Sequence, residues 1–205
     1  MHNQQSFWQL NKAVVLFALV ALTMPLWFPL INGYSGLDTK IMIFCIFLVG
    51  FDILLGFTGY LSFGHAAFFG IAAYSTGLML KNFSDNIIPA IIVAVIAATL
   101  VAIVIGLLTL KRTGIYFSIL TLAFAEMFHS MAMAMLQTWT GGENGLTGMP
   151  TPMLFDIKMQ GSAVFYFTAI MAIILFYVAK RIERSPVGLM MKAIKCNQTR
   201  LEYTG

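Results

Sequence analysis

The chain has 205 residues, of which 60% are apolar and only 10% charged, with a mean hydropathy of +0.86. A soluble domain carries about 45–50% apolar and about 25% charged residues, and a core able to absorb the excess would need more volume than this length encloses. Charge this sparse excludes disorder and nucleic-acid binding, and two cysteines, Cys45 in an apolar run and Cys196 in a basic tail, make neither a disulfide scaffold nor a zinc site. The composition is that of an integral membrane protein.

A helix needs about 20 apolar residues to cross the hydrocarbon core. Ala13 to Ile31 is an uncharged run between Lys12 and Asn32-Gly33. It is long for a signal peptide, lacks a small-residue cleavage site and is followed by further runs, so it is expected to remain as a span. Ile41 to Leu55 holds Asp52; Ala66 to Leu80 ends at Lys81; Ile87 to Leu110 ends at Lys111-Arg112. Ile115 to Leu136 holds Glu126 and His129, and Ser162 to Ala179 ends at Lys180-Arg181. These are six spans, the second and third short or tilted. With the N-terminus inside, nine basic residues (Lys12, Lys111, Arg112, Lys180, Arg181, Arg184, Lys192, Lys195, Arg200) lie on the inner side and three (Lys40, Lys81, Lys158) outside, together with Asp38, Asp85, Glu143 and Asp156. That asymmetry follows the positive-inside rule and puts both termini in the cytoplasm.

Gly56-Phe57-Thr58-Gly59-Tyr60-Leu61-Ser62-Phe63-Gly64-His65 places three glycines and several polar side chains between the second and third runs. One reading is a helix break whose freed backbone groups face protein or a water-filled path; the other is a tight inner turn in which glycine permits close packing. Asp52 lies one turn before it, either as a functional intramembrane acid or as a cap acting through Thr58 or Ser62. Glu126 and His129, three apart, share a helix face. E-x-x-H is half of a di-iron ligand set, but the spans offer only Asp52 besides, so an inter-helix pair or a cavity lining is the expectation, with a proton relay as the alternative.

The loop Thr138 to Pro150 is rich in glycine but lacks the Gly-Lys-Ser/Thr ending of a phosphate loop, and reads as a compact, ordered loop that meets partners. In the tail, Ser185-Pro186 starts a helix. Val187, Met190, Met191 and Ile194 then recur at helical spacing among Lys192, Lys195 and Arg200. Periodicity leaves two readings open: a basic amphipathic helix on membrane lipid, or a docking helix for a cytoplasmic partner. No catalytic triad, Cys-His pair or HExxH pattern occurs.

Taken in order, four segments resemble the LivM-type permeases of branched-chain amino-acid ABC importers. They are Leu54 to Tyr74, Gly114-Ile115-Tyr116-Phe117 to Met127, Thr140 to Pro150, and Arg184-Ser185-Pro186-Val187-Gly188 to Gly205. The resemblance runs from about residue 40 to the end. It implies an all-α polytopic permease in a bacterial inner membrane, with a transmembrane domain over 1–184 and a cytoplasmic coupling segment over 185–205. Asp52, Gly56, Thr58, Gly59, Ser62, Gly64, His65, Glu126 and His129 would line the path or the break. Val187, Met190, Met191, Ile194, Glu202 and Gly205 would meet an ATPase.

The implied partners are a sister permease, two ATPases that bind ATP and Mg, and an external solute-binding protein; no cofactor, metal or catalytic residue is assigned to this chain. Relatives continue through further spans, so the resemblance implies an N-terminal portion or a truncated product, not expected to transport alone. Urea or short amides are the alternative cargo within the family. An intramembrane metal or redox protein using Glu126 and His129, and a structural membrane protein without a path, are the alternatives from other classes. Single cysteines at Lys158 and Lys195 in a Cys-free background should label from outside and inside the cell respectively; the reverse pattern would refute the topology.

Overall fold

The computed structural model describes residues 2–28, 30, 33, 36–110, 114–155 and 157–203, with side chains from residue 12 to residue 196. Lys111, Arg112, Asp156 and Gly205 lie outside the described residues, as do the side chains of Arg200 and Glu202. The regular secondary structure of the described residues is helical except for one small hairpin: α1 (His2–Trp27), α2 (Leu37–Asp52), α3 (His65–Asn82), α4 (Ile87–Thr109), α5 (Ile115–Ser130), α6 (Gln137–Thr140), β1 (Met153–Leu154), β2 (Ile157–Lys158), α7 (Ser162–Glu183) and α8 (Pro186–Tyr203). Among the described residues four helices are long and apolar enough to cross a membrane: Leu37–Thr58, Ile87–Thr109, Ile115–Met135 and Ser162–Glu183. The protein is a polytopic helical membrane protein.

The expected runs shift at their ends for local reasons. The first helix stops at Trp27 rather than Ile31 and carries Pro25 within it. The second starts at Leu37 rather than Ile41, with Asp38 in its first turn where a carboxylate suits the helix dipole. It continues past Leu55 as a wider π turn over Ile53–Thr58, so it is not short. α5 likewise ends in a π turn, Met131–Met135. The third run, α3, has 18 residues but carries Tyr74, Ser75, Thr76, Lys81 and Asn82 and falls below the apolar level of the four spans.

The chain divides into two compact units. The first holds residues 1–59 and 160–205, and the second residues 60–159. In the first unit α7 packs against α1 and α2 around small residues: Ala169 and Ala21 are almost completely buried, among the larger Met24, Met42 and Phe165. Between apolar helices in lipid, small residues are what permit close approach. In the second unit α3 packs along α4, where Ala90 is completely buried. The faces left over are large and apolar, as on α4 at Leu100, Val104, Leu107 and Leu108, which is the pattern of a helix surrounded by hydrocarbon.

The loop between α5 and α7 is ordered, as expected, and contains the hairpin, which periodicity does not announce. Thr140 is buried and its hydroxyl donates to Ala132 O at 2.6 Å. Lys81 Nζ donates to Thr147 O at 3.1 Å, and Met153 N to Asp85 O at 2.7 Å. Replacing Ala169 by Leu should destabilise the first unit by about 1–3 kcal/mol through overpacking, read as a lower unfolding temperature of the purified protein; an unchanged temperature would mean that the α2–α7 contact is loose.

Candidate functional site

In the first unit the interruption begins at the π turn. Phe57 is buried, the Thr58 hydroxyl donates to Leu54 O at 2.5 Å, and Gly59 closes the helix at φ 78, donating its N–H to Leu55 O at 3.1 Å. That left-handed angle suits glycine because it has no Cβ. Asp52 makes no capping bond to the π turn, which corrects its reading as a cap. Its carboxylate lies against the Gly56 Cα, where a Cβ would sit 2.5 Å from Oδ1. With Phe57, Phe176, Lys180 and Glu183 it lines a cavity of about 180 Å³.

α8 packs on this interruption and on α7. Ser185 caps it: its hydroxyl accepts from Gly188 N at 3.2 Å and donates to Ile182 O at 2.7 Å, with Pro186 at the first helical position as expected. Gly188 lies so close to the carbonyls of Ile182 and Glu183 that a Cβ would collide with both. Glu183 accepts from Lys180 and from Lys192, each at 3.0 Å. Lys195 Nζ donates to Gly56 O at 3.1 Å. Lys192 and Lys195 are thus turned toward their own chain, whereas the lipid reading needed them on membrane phosphates. Of the apolar stripe, Val187 and Met190 are exposed and Met191 and Ile194 half-buried.

The second unit opens with an irregular segment, Tyr60–Gly64, before α3 starts at His65. α5 holds this segment in place. Ser118 Oγ donates to Leu61 O at 2.6 Å, Phe63 N donates to Thr121 Oγ1 at 3.2 Å, and the Tyr60 and Phe117 rings meet at 4.9 Å. Ser62 is buried, its hydroxyl accepting from Gly64 N at 3.2 Å. Ser118 and Thr121 escape a reading by motif. Their signal is two hydroxyls three apart on one face of an apolar helix.

Glu126 and His129 do share a face. Both line an open cavity of about 600 Å³ with Ala66, Gly70 and Tyr74 of α3 and with Trp139 and Thr140. The cavity is walled mainly by apolar side chains, with these two ionisable groups on one wall. Among the described residues no three His, Cys, Asp or Glu side chains come together, so the geometry offers the metal alternative no ligand set.

The match to known proteins covers most of this architecture. Residues 33–205 match the family described as branched-chain amino acid transport system / permease component. The chain belongs to this family. Two curated relatives carry the name high-affinity branched-chain amino acid transport system permease protein LivM. The one from Escherichia coli (strain K12) is 24% identical and the one from Salmonella typhimurium (strain LT2) 23%, each alignment covering 90% of this chain and 49% of the relative. The chain thus spans about half the length of the curated relatives it matches. No solved structure matches.

Thr121→Val removes the acceptor of Phe63 N, a partly buried bond, and should cost about 0.5–1.5 kcal/mol, the net worth of one such hydrogen bond. Hydrogen exchange at residues 60–64 should accelerate while α4 stays protected; equal exchange in both would mean that the segment is held otherwise.

Proposed function

We propose that this chain is the permease subunit of an inner-membrane ABC importer for branched-chain or related amino acids. The observation that carries the reading is membership of the permease family over residues 33–205. The chain contributes part of the translocation path and pairs with a sister permease, two ATPases and an external solute-binding protein. ATP and Mg belong to the ATPases, and this chain performs no covalent chemistry. Six helices cross, α1 and α3 included, with both termini in the cytoplasm.

In this reading the 600 Å³ cavity is the chain's share of the path. Its apolar walls suit an aliphatic side chain, and Glu126 offers a carboxylate to an ammonium group. The interruption at Gly56–His65 supplies irregular backbone, which membrane proteins tolerate where it faces protein or a cavity. Residues 185–205 are the coupling segment. The supporting geometry is a capped helix packed on α7, with Val187, Leu189 and Met190 exposed and the exposed Lys192 and Lys195 bonded to Glu183 and Gly56 O of the same chain.

The test is uptake of radiolabelled leucine into vesicles holding the assembled complex, with and without the solute-binding protein. Glu126→Gln should raise KM for the amino acid by about tenfold, the loss of a charge-assisted contact, with assembly unchanged. Gly59→Leu should abolish uptake while insertion persists. A cysteine at Ile194 should crosslink to the ATPase; crosslinking to lipid alone would favour a surface helix. Uptake of urea but not leucine would move the cargo to short amides.

A further inference from the structure

α8 packs on the carbonyl end of α2, and Lys195 bonds to the backbone there. The last four carbonyls of a helix have no following turn to accept from, and α2 ends its π turn at Gly59. Lys195 Nζ donates to one of these carbonyls, Gly56 O, at 3.1 Å. The stem of the same side chain runs beside Gly59, where a Cβ would sit 3.1 Å from Lys195 Cγ. Three residues earlier on α8, Lys192 Nζ lies 3.0 Å from Glu183 and 5.9 Å from the centre of the Phe57 ring. An ammonium at the C-terminal end of a helix is favoured by the dipole, and its bond to a carbonyl is charge-assisted.

The two lysines do different things. Lys192 ties α8 to α7 through Glu183, and those two helices already join at the Ser185 cap. Lys195 is bonded to the backbone of α2, a helix far away in sequence, at the place where that helix is interrupted. We propose that Lys195 is a positioning residue that ties α8 to the interrupted end of α2, so that a displacement of α8 is delivered to Gly56–Gly59. Glycine at residues 56 and 59 lets the Asp52 carboxylate and the Lys195 stem lie directly against the backbone at that end. The transport consequence rests on α8 being the coupling segment; the tie itself does not.

Two measurements test it on the full chain. Spin labels at the native Cys196 and at Phe44→Cys, in a Cys45→Ser background in lipid discs, report by pulsed electron paramagnetic resonance how α8 sits relative to α2. With Lys195 present a single narrow distance is expected. Lys195→Met should lower the docked population by about threefold to tenfold, the worth of one partly exposed charge-assisted bond. Lys195→Arg should restore the narrow distance, and Glu183→Gln should leave it unchanged. An unaltered distribution in Lys195→Met would overturn the proposal.

In the assembled importer Lys195→Met should then raise the ATP hydrolysed per amino acid imported, at unchanged KM for the amino acid. A broadened distribution with an unchanged ratio would refute transmission through this contact. If the unsubstituted complex imports nothing, the importer reading fails, while the distance measurement still decides the tie.

Discussion

A backbone amide or carbonyl in hydrocarbon has no water to turn to, and each one left without a partner costs several kcal/mol. A membrane helix can therefore be interrupted only where other groups take over from the missing helical bonds. In the first unit these are Lys195 at Gly56 O and the Leu55 carbonyl closing on Gly59 N. In the second they are Ser118 at Leu61 O, Thr121 at Phe63 N and Ser62 at Gly64 N. The hydroxyls come from residues small enough to lie within a packed interface. The interruption is therefore a built element, with a defined conformation on each side.

The same constraint explains the other polar side chains of the spans. Thr23, Thr76, Thr109 and Thr168 each donate to the carbonyl four residues back, satisfying their hydroxyls within their own helix. That leaves Asp52, Glu126 and His129 as polar groups of the spans whose environments are cavities. Packing in turn relies heavily on alanine beside a few large buried side chains such as Phe165 and Met42, while many other large apolar side chains are exposed.

Composition and run length were enough to show a helical membrane protein, because hydrocarbon selects one kind of residue over a fixed length. The start of α8 was equally legible, since Ser185 and Pro186 act through local hydrogen bonding and a fixed φ. The shared face of Glu126 and His129 followed from helical spacing alone. Long-range pairings were not legible: nothing local distinguishes Ser118 or Thr121 as a support for residues 61–63, or Lys195 as a donor to Gly56. The π turns also escaped, because one extra residue in a turn leaves an apolar run looking the same. Of the two readings of Asp52, functional acid or cap, the cap is suggested by an acid near a helix break usually finding an amide; here the absent Cβ of Gly56 gives it a surface to lie on instead.

The loop between α5 and α7 has a consequence for recognition. Its backbone is bonded to Lys81 and Asp85 at the far end of α3, folded over the buried Thr140, and closed by the β1–β2 hairpin. Most of the conformational entropy that a long loop would surrender on meeting another protein has already been spent in folding. A partner that docks on it meets a preformed surface, so more of the contact energy goes into affinity, and release need not be slowed by an ordering step. For any partner that must bind here and leave again repeatedly, that is an entropic saving at each encounter.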